Sequence, residues 1–199
     1  TVIFKSSYFP AIIPFTLAVF TYAIWARKPD QANFLFLAKA IFGYCYVATL
    51  LGTLTQNRGL ENGAHGVPLI FFLLVVVWIS DSAAFVMGSF VRGKWKLSPL
   101  VSPNKSWEGS IAALAAVIVF VTIFHHQMVP FLSLVQSLVL GLVICVSGQL
   151  GDLSESYLKR AFGVKDSGNI FPGHGGMLDR VDSFIFASPA MFIYMKIFV

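Results

Sequence analysis

Residues Val67–Gly88 read VPLIFFLLVVVWISDSAAFVMG, and this stretch decides the fold. The run from Val67 to Ser80 carries no charge, and with its continuation to Gly88 it reaches the roughly 20 residues needed to cross a bilayer. Hydrocarbon offers backbone groups no water to bond with, so such a segment must be helical. Asp81 sits inside it. A carboxylate at that depth is costly and faces a partner or a wet cavity; were the helix to end just before it, Asp81 would be merely interfacial.

Working outward, five more apolar runs appear, at Tyr8–Trp25, Phe34–Leu54, Ser110–Phe124, Phe131–Leu150 and Ser183–Val199. The Ser110 run is short and is expected to begin earlier, near Ser106. Hydrophobic residues make up 57% of the 199-residue chain and charged ones only 12%, against about 25% charged in a soluble domain. The expected fold class is therefore all-α: a polytopic membrane protein of about six transmembrane helices. Residues 1–66 form its N-terminal helices, and 67–199 form a second region with polar loops at 89–107 and 151–182. The chain begins at Thr1 with no charged region ahead of a cleavage site, so no signal peptide is visible, and a start shortened by processing or truncation fits this. Cys45 and Cys145 fall inside apolar runs without metal-ligand spacing and read as small hydrophobes.

A net charge of +5 would suit nucleic acid, but its distribution argues against such a partner. Alternating the loops across six helices gathers Arg27, Lys28, Arg92, Lys94, Lys96, Lys105, Lys159, Arg160, Lys165 and Arg180 on one side. Lys5, Arg58 and Lys196 remain on the other, and Lys39 lies near the basic end of its helix. By the positive-inside rule the basic side is cytoplasmic, with attraction to anionic lipid as a further source of the bias.

Three polar constellations share that side. The richest is Ser156–Asp182, SYLKRAFGVKDSGNIFPGHGGMLDRVD. Its cations suit phosphate oxygens, its carboxylates suit a divalent metal, and the backbone N–H groups of its Gly-rich turn fill the gaps. Ahead of it the Phe131 helix is expected to continue as Gly148–Phe162, with Gly163 as a C-terminal stop. Asp152, Glu155, Ser156 and Lys159 then share a face, where Glu155 and Lys159 alone would make an ordinary surface pair. Asp179 and Asp182 share a face at the start of the last helix. Three carboxylates, Asp152, Asp179 and Asp182, around one pocket read as a metal site. The second constellation is Arg92–Gly109, a Pro- and Gly-rich loop. Ser102 before Pro103 has the pattern of a helix N-cap with Pro at the first helical position; Lys105 and the exposed N–H groups of that helix start would also serve a phosphate. Asp81 is the third. His65, His125 and His126 lie in loops on the far side and are assigned no metal.

These residues resemble the phosphatidate cytidylyltransferase, or CDP-diacylglycerol synthase, family. The resemblance rests on Ser156, Leu158, Lys159 and Arg160, then Lys165, Asp166 and Gly168, then Phe171, Pro172, His174, Gly175, Gly176, Met177, Asp179, Arg180, Val181 and Asp182. Gly151-Asp152-Leu153, Asp81-Ser82-x-Ala84-Phe85 and Ser102-Pro103-x-Lys105-Ser106-x-Glu108-Gly109 extend it. It covers the last part of the chain firmly and residues 1–66 only through hydropathy. One departure stands out: the family's Gly-Arg-x-x-Gly-Lys-x-Lys-Leu is here Gly88-Ser89-Phe90-Val91-Arg92-Gly93-Lys94-Trp95-Lys96-Leu97, with an extra residue and the Arg displaced.

The resemblance implies that CTP and phosphatidic acid give CDP-diacylglycerol and pyrophosphate with Mg²⁺ and a second cation such as K⁺. It implies a bacterial inner-membrane setting, a site facing the cytoplasm, and association as a homodimer. Asp152, Asp179 and Asp182 are then the metal residues. Lys165 and Arg180 contact the triphosphate, Ser102 and Lys105 close over it, and Lys159 and Arg160 meet the lipid phosphate. His174, Gly175 and Gly176 shape the turn, while Asp166 and Asp81 orient. A CTP-dependent polyprenol or phytol kinase is the alternative within enzymes; it would release CDP and need a base for its hydroxyl substrate. An ion-coupled carrier using Asp81 is a further alternative, disfavoured because no internal repeat is visible.

Overall fold

The computed structural model describes residues 9–28, 30–60, 65–91, 95–168, 170 and 175–199. Helices dominate: α1 (Phe9–Ala26), α2 (Gln31–Gly43), α3 (Leu50–Arg58), α4 (Gly66–Val91), α5 (Trp107–Met128), α6 (Leu134–Ala161) and α7 (Leu178–Phe198). A π-helical stretch, Tyr44–Thr49, joins α2 to α3, so that Gln31–Arg58 runs as one 28-residue span. Five spans are long and apolar enough to cross a membrane, and Ala11–Ala26 is a shorter apolar helix. The protein is thus a predominantly helical integral membrane protein, as expected, with a shorter apolar helix at the place of the first of the six expected spans. α5 begins at Trp107, close to the expected Ser106, and α6 continues ten residues or so beyond its apolar part, ending at Ala161.

The chain divides into Thr1–Gln56 and Asn57–Val199. In the first unit, Asp30 caps α2 by accepting from the Asn33 N–H at 2.8 Å, and Phe15 stacks on Tyr44 with ring centroids 4.5 Å apart.

The second unit packs α4, α5, α6 and α7 around a shared interior. Leu69, Phe72, Leu73 and Val76 of α4 meet Val117 and Val121 of α5, Leu140 and Ile144 of α6, and Ile185 and Met191 of α7; all are fully buried. The opposite faces carry Phe71, Trp78, Ile111, Val119, Val135 and Ile193, all exposed. In a bilayer that exposure meets lipid tails as apolar as Leu, so helix association rests on close packing and interhelical hydrogen bonds. Small residues supply the packing. At Gly141 a Cβ would press on Val121 and Val117 of α5, and at Gly151 it would lie 2.5 Å from the Asp182 carbonyl oxygen. Interhelical bonds add to it: Asn57 Nδ2 donates to the Ser188 carbonyl at 3.0 Å, and the Tyr194 hydroxyl to the Gln136 carbonyl at 3.0 Å.

Between α4 and α5 the chain forms a two-stranded antiparallel hairpin, β1 (Lys96–Ser98) and β2 (Ser102–Ser106), pairing Lys96 with Ser106 and Ser98 with Ser102 across an irregularity. This corrects the expected cap. Ser102 and Pro103 lie in a strand, and Ser106 is the N-cap of α5, its hydroxyl accepting from the Gly109 N–H at 3.2 Å. Ser106 provides the same cap chemistry one turn later, and cross-strand pairing holds Ser102 extended. The helix start available to an anion therefore begins at Trp107.

Candidate active site

α4 does not stop before Asp81. It runs ten residues further, so the carboxylate belongs to a membrane helix and is not an interfacial residue beyond its end. It lines a cleft of about 560 Å³ together with Lys96, Ser102, Lys105, Ser110, Gln149 and Asp152, drawn from α4, the hairpin, α5 and α6. Gly109 permits the approach of α5 to α4, since a Cβ there would sit 3.0 Å from the Ala84 carbonyl oxygen. Two of the three sequence constellations thus share one cavity, joined to α6 by an ion pair: Lys105 Nζ lies 2.5 Å from Asp152 Oδ2.

The third constellation adjoins it through α6 and α7. Gly151 is buried against Asp182 and Ser183, so α7 approaches α6 closely. This brings carboxylate oxygens of Asp152, Glu155 and Asp182 within 4.8 Å of one another. Glu155, expected as half of a surface pair, is 0% exposed. One of its oxygens lies 2.5 Å from Lys159 Nζ, and the other has no hydrogen-bond partner among the described residues. Sequence reasoning placed Glu155 on one face with Asp152 and missed its burial, which follows from the close approach of α7 to α6. Three oxygen donors at this spacing are chemically suited to a hard cation such as Mg²⁺.

Asp179 is not one of these three, but it adjoins Glu155 through the Lys159 they share. Its Oδ1 accepts from Lys159 Nζ at 2.6 Å, and its Oδ2 accepts from the Ser167 N–H at 2.9 Å, the Ser167 hydroxyl at 2.7 Å and the Gly176 N–H at 2.7 Å. Lys159 therefore bridges Glu155 and Asp179, and Asp179 ties both flanks of the Gly-rich turn. Gly175 has φ 78°, a backbone region that glycine enters at little cost, and a Cβ there would lie 2.7 Å from Asp179 Oδ2. At Gly176 a Cβ would run into Ser167 and Gly168.

Gly163, with φ 69°, ends α6 as expected, its N–H bonding to the Arg160 carbonyl at 3.0 Å. Arg160 turns back toward the hairpin, Nε donating to the Val101 carbonyl at 3.4 Å. Lys165, Asp166 and Arg180 are exposed on the same end of the unit. His174 and Pro172 of the turn, and Arg92 and Lys94 of the departing segment, lie outside the described residues. The remaining histidines sit at the opposite helix ends. His65 stacks on Phe131 at 3.8 Å between centroids, and His125 and His126 end α5.

Fold and site together define a polytopic membrane protein whose cleft presents lysines beside clustered carboxylates, the equipment of an enzyme acting on phosphate groups. A model of the cytidylyltransferase family matches residues 2–198, and the chain belongs to that family of nucleotidyltransferases. It is 40% identical over 188 residues to the phosphatidate cytidylyltransferase of Bacillus subtilis (strain 168), covering 92% of this chain and 66% of that protein. It is 36% identical over 186 residues to the proteins of the same name from Staphylococcus saprophyticus and Staphylococcus aureus (strain COL), covering 93% of this chain and 68% of each. The chain thus spans about two thirds of the length of these relatives.

Proposed function

We propose that this protein is a phosphatidate cytidylyltransferase: an oxygen of the lipid phosphate attacks the α-phosphorus of CTP, the bond to the bridging oxygen toward the β-phosphorus breaks, and pyrophosphate leaves. The observation carrying this reading is the continuous run of charge from Lys105 through Asp152, Glu155 and Lys159 to Asp179, set beside a cleft open to membrane helices. A phosphomonoester loses its second proton near pH 6, at about its second pKa, so the nucleophile is ionised at neutral pH and needs no general base. The obstacle is repulsion between an anionic lipid and a triphosphate, and fixed positive charge lowers it.

Asp152, Glu155 and Asp182 would hold Mg²⁺, with a second cation such as K⁺ nearby. When bound, the metal would neutralise phosphate oxygens and the leaving pyrophosphate. Lys105 and Ser102 would contact the triphosphate from the hairpin, Lys165 and Arg180 from the opposite side, and Lys159 and Arg160 the lipid phosphate. Asp179 would organise the Gly175–Gly176 turn and keep Lys159 oriented, while Asp166, Asp81 and His174 would orient groups around them. The site would face the cytoplasm across a bacterial inner membrane, where CTP is available.

The test is release of pyrophosphate from CTP by the protein in detergent micelles, with phosphatidic acid or Mg²⁺ omitted in turn. Turnover needing both supports the reading; release of CDP with a lipid alcohol would replace it by a kinase.

A further inference from the structure

The floor of the cleft holds a polar chain that the chemistry above does not use. Ser80 Oγ of α4 lies 3.3 Å from Cys145 Sγ of α6, Gln149 Nε2 donates to the same sulfur at 3.4 Å, and the Ser110 hydroxyl of α5 donates to Gln149 Oε1. Ser80 and Cys145 are buried, at 3% and 1% exposure. Cys145 is thus more than the small hydrophobe expected of it. Gln149 and Ser110, at the other end of the chain, reach the cleft wall.

The two bonds fix the amide's orientation. Its oxygen is engaged by Ser110 and one of its two N–H groups by Cys145, which leaves one N–H as a donor. Gln149 precedes Asp152 by a turn of α6, ~4.5 Å toward the apolar half of the helix at 1.5 Å per residue. Lys105 and Asp152 mark the level of phosphate recognition. In a glycerophospholipid the ester carbonyls lie a few ångströms nearer the hydrocarbon than the phosphate, and they accept hydrogen bonds. Ala84, Phe85 and Leu97 line the same cleft and offer apolar surface beside that point.

We propose that Gln149, held by Ser110 and Cys145, donates a hydrogen bond to an acyl-ester carbonyl of the lipid substrate and makes the site selective for diacyl over dialkyl phosphatidic acids. This rests on the assignment of a phosphatidic acid as substrate. A dialkyl ether analogue has the same phosphate and the same chains without the carbonyl acceptors.

The experiment measures pyrophosphate release by the protein in detergent micelles, comparing diester and diether phosphatidic acids of equal chain length. One neutral hydrogen bond predicts an apparent KM about fivefold lower for the diester. Gln149→Met keeps the length and apolar packing of the side chain without the donor, and is expected to bring the ratio of the two KM values to about one, with the KM for CTP unmoved. Ser110→Ala frees the amide to rotate and is expected to lower the ratio as well; it decides the matter should Gln149→Met fail to fold. Equal KM values in the unsubstituted protein, or a ratio retained in the variants, overturns the assignment. So does a rise in the KM for CTP alone, which would place Gln149 against the nucleotide. No pyrophosphate with either lipid would instead remove the proposed reaction, and this inference with it.

Discussion

Asp182 and Asp179 sit three residues apart on α7, yet their surroundings differ. Asp182 Oδ1 accepts the Ser183 N–H at 2.7 Å, and the side chain adjoins Asp152 and Glu155. Asp179 is engaged by Lys159, Ser167 and Gly176. Asp182→Asn is expected to lower turnover by about a hundredfold or more, the scale on which charge stabilisation of a transition state operates, and to weaken its dependence on Mg²⁺. Asp179→Asn should instead alter the loop, with half-saturation by Mg²⁺ close to that of the unsubstituted protein; a large shift in that value would make Asp179 a ligand. Lys159→Met strands the fully buried Glu155 carboxylate and leaves Asp179 with its Ser167 and Gly176 donors. Breaking a buried pair in this way costs about 3 kcal/mol or more, read as a fall in the midpoint of thermal unfolding in micelles. The sequence grouped Lys159, Asp179, Gly175 and Gly176 in one polar stretch, but the hold of Asp179 on Lys159 and Gly176 shows only in the fold. The burial of Glu155 was not legible either, since no pattern within α6 states which face α7 will cover.

At the scale of elements, the α6–α7 contact carries the site. Gly151→Val would drive a side chain into the Asp182 carbonyl, which a Cβ already approaches to 2.5 Å. Overpacking of this kind costs about 1–3 kcal/mol, and here it also spreads the three carboxylates. Lost pyrophosphate release with an intact helical circular dichroism signal is the expected result. Among the described residues the hairpin is held by Lys105 to Asp152, Arg160 to Val101, the Trp95 N–H to Glu108 Oε1 at 3.3 Å and the Trp107 N–H to the Trp95 carbonyl at 2.9 Å. Ser106→Ala removes the α5 cap and is expected to cost about 1 kcal/mol, again as a lower unfolding midpoint. Sequence reading located α5 to within a turn but put its cap at Ser102. Both serines satisfy the local rule, and only pairing with Lys96–Ser98 decides between them.

For the whole molecule, the distribution of charge predicts orientation. With Cys45 replaced by Ala and Cys145 buried, a cysteine at Lys165 should react with a membrane-impermeant maleimide added to the cytoplasmic side of sealed vesicles. One at His126 should react only from the other side. Reversed labelling would overturn the cytoplasmic placement of the site. The membrane character and five of the six expected spans were legible because apolar length is a property of each segment alone; the run read at Tyr8–Trp25 is the shorter apolar helix Ala11–Ala26. The single span through α2 and α3 was legible as the run Phe34–Leu54, whereas the π-helical geometry at Tyr44–Thr49 carried no such signature.

Asp179 has one further consequence, in the time domain. Its carboxylate clasps Ser167 and Gly176 from within the fold, so these two points of the chain need no nucleotide to meet. The ordering entropy of the backbone at Ser167 and Gly176 is then spent during folding and not during each cycle of the proposed reaction. Deuterium uptake at the Ser167 and Gly176 amides should accordingly be slow before any nucleotide is added and change little afterwards, and the association of CTP should proceed in a single kinetic phase.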